Sequence, residues 1–170
     1  MLLMLVMSTP ANAAPGTILQ AWADAKNRTV FVRSGTYNPT TQTGFGLAKI
    51  QQKHRINSID SLVFVTRNPN GGTAQGDDRL YEAFANKKVC NQTTCTVTES
   101  IKVRVIMSNV YAGTYYGVVI NGAIGIKAAY CVTGSTVCPS WIDQGLRRIT
   151  PGTPITENVW SYEPLAVAVP

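Results

Sequence analysis

The sequence is poor in charged residues and almost without histidine. Only 14% of its 170 residues are charged, and it holds 15 basic residues, nine acidic residues and a single histidine, His54. It has no Gly-x-Ser-x-Gly elbow, phosphate-binding P-loop, His-Glu-x-x-His or dinucleotide fingerprint, so it lacks the signatures of the enzyme classes that use them. No cluster of histidine and acidic residues has metal-ligand spacing. We therefore expect neither a metal nor any other cofactor.

Long apolar runs are also missing. A membrane-spanning helix needs about 20 apolar residues, and no segment approaches that length, so we expect no stable membrane insertion. A shorter apolar run at the start ends at Pro10 and leads into small residues in Ala-x-Ala spacing, a pattern typical of a signal peptide. We interpret residues 1–14 as a signal-peptide remnant cleaved near Ala13 or Ala14. A buried N-terminal helix is the alternative.

Length and composition favour one secreted, β-rich domain. The chain is long enough for one hydrophobic core, which we place at residues 15–149, with residues 150–170 as a C-terminal extension or edge segment. Gly, Thr, Val, Asn and Tyr are frequent, as in many exported β-rich proteins. The net charge of +6 and the pI near 9.3 favour an anionic partner such as nucleic acid, an envelope polymer or a membrane surface.

Four cysteines fit an oxidising destination. They are Cys90, Cys95, Cys131 and Cys138, and they permit three pairings. The two local pairings, Cys90 with Cys95 and Cys131 with Cys138, are the simplest. A zinc site is a weaker alternative, because the spacings are not Cys-x-x-Cys and His54 lies far upstream.

Local patterns predict helices near the start of the chain and strands after them. Helical spacing of apolar residues predicts a helix over residues 18–26, and a second helix follows the Gly44-Phe45-Gly46 turn. Residues 79–85 fit either a strand or a short helix. Content of β-branched residues and alternation predict the remaining strands, at residues 29–33, 61–66, 101–107, 118–120 and 124–131, with an Asn121-Gly122 hairpin turn joining the last two.

The second predicted helix carries His54. Periodicity places His54 on one face with Leu47 and Ile50, directed toward the rest of the domain. The basic residues Lys49, Lys53 and Arg55 then lie at the margins of that face or in solvent. A histidine at such a position is either a core residue with satisfied hydrogen bonds or a proton-transfer group on a phosphate substrate.

Two later strands supply candidate partners for His54. Residues 101–107 alternate, so Lys102 and Arg104 point away from the apolar face. This pattern describes either a solvated outer face or a sheet face that carries two cations into a cleft. In residues 124–131, parity places Tyr130 with Ile124, Ile126 and Ala128 on one side, and Lys127 on the other.

Taken together, Gly44-Phe45-Gly46, the Lys53-His54 pair, the strand with alternating cations and Ala128-Ala129-Tyr130 resemble the barnase, EndoU, colicin and RelE-type ribonuclease superfamily, in particular its secreted toxin domains. The resemblance covers roughly residues 30–141. It implies an α+β fold, with one or two N-terminal helices packed on a twisted antiparallel sheet of four to five strands. It also implies cleavage of RNA without a metal. The four cysteines add the expectation of loops pinned by disulfides.

Carried over residue by residue, the resemblance implies a catalytic set of His54, Lys53, Arg104 and Tyr130, with Lys102 as the other candidate for the strand cation. Substrate would be bound by Lys49, Arg55, Lys102 and Lys127. Toxins of this type often have Thr-Ala-Tyr where this chain has Ala128-Ala129-Tyr130, so a hydroxyl on the scissile phosphate would have to come from Thr98 or Ser100.

The resulting hypothesis is a secreted, monomeric ribonuclease that acts by general acid-base transphosphorylation and is neutralised by a cognate inhibitor protein. His54 would act as base or acid, and Arg104 would grip phosphate oxygens with two donors. The competing hypothesis is a non-enzymatic secreted β-rich module whose basic face binds an anionic envelope polymer or a protein. That alternative accounts for the leader, the cysteines and the charge without a role for His54.

Overall fold

The computed structural model describes residues 13–91, 93–143 and 155–168. Most of the predicted signal-peptide remnant, residues 1–12, lies outside the described residues. So do residues 144–154, which join the predicted domain to the predicted C-terminal segment. Among the described residues, no helix has the length and apolar character needed to cross a membrane.

The fold is α+β and rich in β-structure. The strands are β1 (Ile18–Ala23), β2 (Thr29–Arg33), β3 (Thr36–Asn38), β4 (Thr43–Phe45), β5 (Thr73–Gln75), β6 (Asp78–Cys90), β7 (Cys95–Tyr115), β8 (Val118–Cys131) and β9 (Ile155–Ser161). The helical elements are α1 (Gly46–Lys49), a π-helical segment (Ile50–His54) that continues it, and α2 (Ile59–Thr66). The main sheet of the described chain has five antiparallel strands, in the order β5-β6-β7-β8, with β9 also paired to β6.

The first predicted helix is wrong, because residues 18–23 form β1. This strand pairs antiparallel with β2, and the turn between them is anchored by Asp24. Its carboxylate accepts hydrogen bonds from the Lys26 and Arg28 backbone amides, the Arg28 guanidinium and the Tyr81 hydroxyl. Burial alone would raise the pKa of Asp24, but these donors outweigh it and lower the pKa to about 2. Pairing and the anchored turn override the helical spacing.

The strand predicted at residues 61–66 is also wrong, because this segment lies in α2. A helix places Leu62, Val65 and Thr66 on one face, and all three are fully buried. Leu62 and Val65 join the main core with Tyr81, Ala83 and Val105 of the sheet. The β-branched content suited a strand, but burial against the sheet decides the conformation, since strand propensity is strongly dependent on context.

The predicted alternation of β7 is confirmed. Val103, Val105 and Met107 are buried on the core side, whereas Lys102 and Arg104 are half-buried on the opposite face. Residues 79–85, predicted as strand or helix, belong to β6. The buried residues on the core side of β6 and β7, among them Ala83, Val103 and Val105, form the surface on which α2 packs.

In β8 the predicted parity holds only at the start of the strand. The register with β7 shifts between the pairs Met107–Ile126 and Ile106–Ala128, so a bulge leaves Lys127 as the extra residue. Ile126 and Ala129 are therefore both buried on the core side, and Tyr130 moves to the face that holds Arg104. Counting alternate residues in the sequence cannot detect such a bulge. One extra residue moves every later side chain of the strand to the opposite face of the sheet.

The hairpin turn between β7 and β8 lies at Tyr116-Gly117, not at the predicted Asn121-Gly122. Tyr115 pairs with Val118 across it. Asn121 has a φ of 40° and sits inside β8, where the register is shifted again between the pairs made by Ala112 and Thr114. Asn121-Gly122 therefore lies at an irregularity within the strand. Both a bulge and a hairpin turn accept a left-handed residue, so the sequence does not distinguish the two.

Both predicted local disulfides are present, Cys90–Cys95 and Cys131–Cys138. The first closes the β6–β7 hairpin. The second closes a loop after β8 that lies against the π-helical segment, where the Cys138 amide donates to the His54 carbonyl over 2.9 Å. Toward the end of the described chain, β9 extends the sheet along the edge of β6.

Candidate functional site

Three polar side chains form a row across the face of the sheet opposite the core. Glu82 of β6 lies opposite Arg104 of β7, and Arg104 lies opposite Tyr130 of β8. We call these three residues the polar row. Arg104 Nε donates to Glu82 Oε1 over 2.8 Å, and the two side chains are 33% and 35% exposed. The row is thus formed by residues that are far apart in sequence and sit on a solvent-accessible face.

Hydrogen bonds along the polar row fix the charge states of its members. The bond from Arg104 lowers the pKa of Glu82, with a further contribution from Lys102, so this carboxylate is ionised near neutral pH. The bond to Glu82 raises the pKa of Arg104, and the neighbouring Tyr130 side chain acts in the same direction. Since a guanidinium only donates hydrogen bonds, Arg104 can offer its remaining N–H groups to an acceptor on this face.

His54 stands at the end of the row, beyond β8. Its ring centroid is 5.8 Å from that of Tyr130, with the planes tilted by 41°. The side chain is buried, with 8% exposed, and Nδ1 lies 2.9 Å from the Thr136 carbonyl oxygen. Because a carbonyl can only accept, Nδ1 carries the proton, and in the neutral imidazole Nε2 has the free lone pair.

Several groups act on the protonation of His54. Burial lowers its pKa, the Thr136 carbonyl acts in the opposite direction, and the charges of Lys53 and Lys49 lower it further. The pKa therefore lies below the ordinary value of 6.5. At neutral pH the imidazole is in the form that accepts a proton.

Lysines surround this end of the row. Burial lowers the pKa of Lys49, and Lys53 and Lys127 lower it further by repulsion, so the three ammonium groups share one neighbourhood. Lys53 Nζ donates to the Gln42 carbonyl over 3.3 Å. The ammonium nitrogen Nζ of Lys127, the bulged residue of β8, lies 2.8 Å from Asp78 Oδ2. Lys53 and Lys49 therefore lie near His54, and Lys127 lies near Lys49.

The other two predicted substrate-binding residues are placed differently. Lys102 Nζ lies 3.6 Å from Glu82 Oε1 and 5.6 Å from the centroid of the Phe84 ring. Both partners belong to β6, so Lys102 points to the end of the row that is far from His54. Arg55 is exposed in a left-handed conformation, with φ 61°, just after the π-helical segment. Within the described chain, none of the contacts that connect the row and its lysines includes Arg55.

Sequence reasoning missed Glu82. If residues 79–85 are taken as a strand, alternate side chains face opposite sides of the sheet. Glu82 then lies with Leu80 and Phe84 on the side opposite the buried residues Tyr81, Ala83 and Ala85, and this alternation was the available signal. The two hydroxyls considered as substitutes at the phosphate are used elsewhere. Ser100 Oγ donates to Asn86 Oδ1 over 2.7 Å, and Thr98 Oγ1 donates to the Lys87 carbonyl over 3.2 Å.

Among the residues that the structure describes, no group of three or more His, Cys, Asp or Glu side chains is placed to hold a metal ion. Comparison with known proteins gave no match to a family model, to a curated protein or to a solved structure. The geometry of the polar row and His54 is therefore the basis for assigning a function.

Proposed function

We propose that this protein is a metal-independent endoribonuclease of the barnase, EndoU, colicin and RelE type. The observation that carries the proposal is the polar row of Glu82, Arg104 and Tyr130, which runs across an accessible sheet face and ends at His54. The row combines a proton acceptor, a proton donor and a fixed cation, which are the groups that transphosphorylation of RNA requires.

His54 is the base in this proposal. Nδ1 is held by Thr136, so Nε2 takes the proton of the ribose 2′-hydroxyl. The 2′-oxygen then attacks phosphorus, and the bond from phosphorus to the 5′-oxygen breaks. The depressed pKa of His54 favours this role over that of an acid, because the imidazole is already unprotonated at neutral pH.

Tyr130 supplies the proton that the leaving 5′-oxygen needs. Tyr130 lies opposite Arg104 on the neighbouring strand, and the positive charge of Arg104 stabilises the phenolate left behind when the proton is transferred. A 2′,3′-cyclic phosphate and a free 5′-hydroxyl are the products, and the proton gained by His54 returns to Tyr130 through solvent. Each proton is thus accounted for without a second histidine.

Arg104 and Lys53 offset the charge that grows on the phosphate. Glu82 engages Arg104 through Nε, so the terminal nitrogens remain to donate to two phosphate oxygens in the fork geometry of a guanidinium. Glu82 acts here as a positioning residue. Lys49 and Lys127 extend the positive surface along the substrate strand, and the overall charge of +6 attracts the polyanion.

An exported toxin with an inhibitor is the biological form of this proposal. The two disulfides are typical of proteins that work outside the cytoplasm, and a ribonuclease must be kept inactive in the cell that makes it. The face that binds RNA is positive, so the cognate inhibitor would be an acidic protein that covers the polar row.

The non-enzymatic alternative is favoured by one observation. His54 is only 8% exposed and holds the Cys131–Cys138 loop through two hydrogen bonds, one from the Cys138 amide and one to the Thr136 carbonyl. In that hypothesis His54 is structural, and the basic face binds an anionic envelope polymer or a protein.

Cleavage of RNA by the purified full chain in EDTA separates the two functions. The informative variant is His54→Asn, since the Asn amide can donate to Thr136 as Nδ1 does but cannot take a proton. We expect the wild type to cut RNA, the variant to lose about 10²- to 10⁴-fold in rate, and an all-deoxy oligonucleotide to stay intact. Lys26→Ala, an exposed cation on the β1–β2 turn, is the matched control and should retain activity.

Two results would overturn the enzyme proposal. Intact RNA after incubation with folded wild type removes ribonuclease activity and leaves the binding module. Undiminished cleavage by folded His54→Asn removes His54 from the mechanism, and thermal unfolding of each variant establishes that it is folded.

A further inference from the structure

Three aromatic rings meet at the tip of the β7–β8 hairpin. Tyr115 and Tyr116 pack edge to face with centroids 4.7 Å apart. Phe45 packs edge to face on Tyr115 at 5.0 Å and nearly parallel to Tyr116 at 6.4 Å. Phe45 is fully buried, whereas Tyr116 is 50% exposed. We call these three residues the aromatic platform, because a fixed buried ring supports a tyrosine whose surface is half open to solvent.

The backbone of Tyr116 is in an unfavourable conformation for its residue type. Tyr116 and Gly117 have φ angles of 48° and 75°, which is the left-handed pair that a two-residue hairpin turn requires. Asn is the usual first residue of such a turn, and a residue with a bulky side chain is uncommon there. The turn chemistry does not explain a tyrosine at this position, and strained residues of this kind are concentrated at ligand-binding sites.

The aromatic platform adjoins the cations around His54. Burial lowers the pKa of Lys127, but the hydrogen bond to Asp78 and the nearby side chains of Tyr115 and Tyr116 outweigh it and raise that pKa. Lys127 in turn adds to the effect of burial that lowers the pKa of Lys49. Phe45 immediately precedes α1, which ends at Lys49. Along β8, Lys127 precedes Tyr130 by three residues, about 10 Å of strand. A nucleic-acid strand that passes Lys127 can therefore continue to the polar row.

We propose that the aromatic platform is a base-stacking subsite for single-stranded RNA. A nucleobase of the substrate stacks on the exposed face of Tyr116, and the phosphates that follow pass Lys127 and Lys49 toward Arg104. The inference rests on the proposed ribonuclease function for its choice of occupant. Alternating aromatic and cationic groups suit a polyanion with flat bases, because such a ligand uses both the rings and the positive charges.

Binding of a short 2′-O-methyl oligoribonucleotide, which cannot be cleaved, tests the subsite directly. Tyr116→Ala removes the ring, and Tyr116→Asn removes it while supplying the residue that the turn prefers. We expect each to raise Kd about 5- to 30-fold, the loss of about 1–2 kcal/mol that one stacked base contributes. Tyr116→Phe should bind like wild type. Tyr111→Ala, which removes a 72% exposed tyrosine on the same hairpin, is the control.

The outcomes separate this inference from the proposed activity. Unchanged Kd for folded Tyr116→Asn overturns the subsite, whether or not the wild type cleaves RNA. A raised Kd in that variant supports the subsite even if the wild type leaves RNA intact, in which case only the ribonuclease proposal fails. If the Tyr111→Ala control weakens binding as much as Tyr116→Ala, the effect belongs to the whole hairpin and the subsite is again refuted. Where cleavage occurs, we expect Tyr116→Ala to raise KM and to change kcat little, because the platform lies away from the scissile phosphate.

Discussion

The acid limb of the pH-rate profile distinguishes His54 from Glu82 as the base. A base acts only when unprotonated, so activity falls as pH drops through its pKa, and the profile of kcat/KM reports that pKa in the free enzyme. Burial and the neighbouring lysines hold the pKa of His54 below 6.5, whereas Arg104 and Lys102 hold that of Glu82 below 4.5. With His54 as base, we expect the acid limb to lie below pH 6.5.

Glu82→Gln gives the matching perturbation. Gln can still accept the Arg104 Nε hydrogen bond, and only the charge on the acceptor is lost, a difference of about 1 kcal/mol or roughly fivefold in rate. If Glu82 were the base, the same substitution would cost about 10²- to 10⁴-fold.

The assay is initial-rate cleavage of a fluorogenic RNA oligonucleotide at constant ionic strength from pH 3.5 to 8, for wild type and Glu82→Gln. Constant salt is necessary because phosphate binding depends on it. An acid limb below pH 4.5 together with a loss of 100-fold or more in Glu82→Gln would refute the assignment of His54 as base and transfer that role to Glu82.

Two further predictions concern stability. Asp24 has a pKa of about 2 in the fold against an ordinary 3.8, so it contributes about 2 kcal/mol that is present above pH 3.8 and lost as pH falls through about 2. Urea unfolding should show Asp24→Asn less stable by about that amount at pH 7 and the difference shrinking at pH 2; an undiminished difference at pH 2 contradicts the ionisation argument. Replacing Cys131 and Cys138 together by Ser opens a loop with a sequence separation of seven, which should lower the free energy of unfolding by about 2–3 kcal/mol. We also expect slower RNA cleavage, because Thr136 no longer holds His54. Full activity in the folded variant would show that His54 does not need the loop.

Several local features were predictable because they depend on neighbours in sequence. The alternation of residues 101–107 placed Val103 and Val105 in the core and Arg104 on the other face. Cys90 and Cys95 are close enough in sequence to pair across a hairpin. The Gly46 to His54 segment is helical as predicted, although its second half is π-helical, a distinction that composition does not carry.

The wrong predictions share one cause, which is competition from distant residues. Residues 18–23 have helical spacing but pair with β2, and their turn is fixed by a bond from Tyr81, which is 57 residues away from Asp24. Residues 61–66 have strand composition but bury Leu62 and Val65 against the sheet as a helix. The site shows the same limit, because Glu82 became relevant only through its register with Arg104.

The sequence by itself determined that this is a basic, β-rich chain with four cysteines, one histidine beside lysines, and a strand that presents Lys102 and Arg104 on one face. Those properties follow from composition, from spacing and from a period of two residues. Only the tertiary structure decided that Arg104 joins Glu82 and Tyr130 in one row, that a bulge at Lys127 turns Tyr130 toward Arg104, and that His54 lies against the Tyr130 ring. Strand register and bulges depend on which segments pair, and the packing energy of the whole fold selects that pairing.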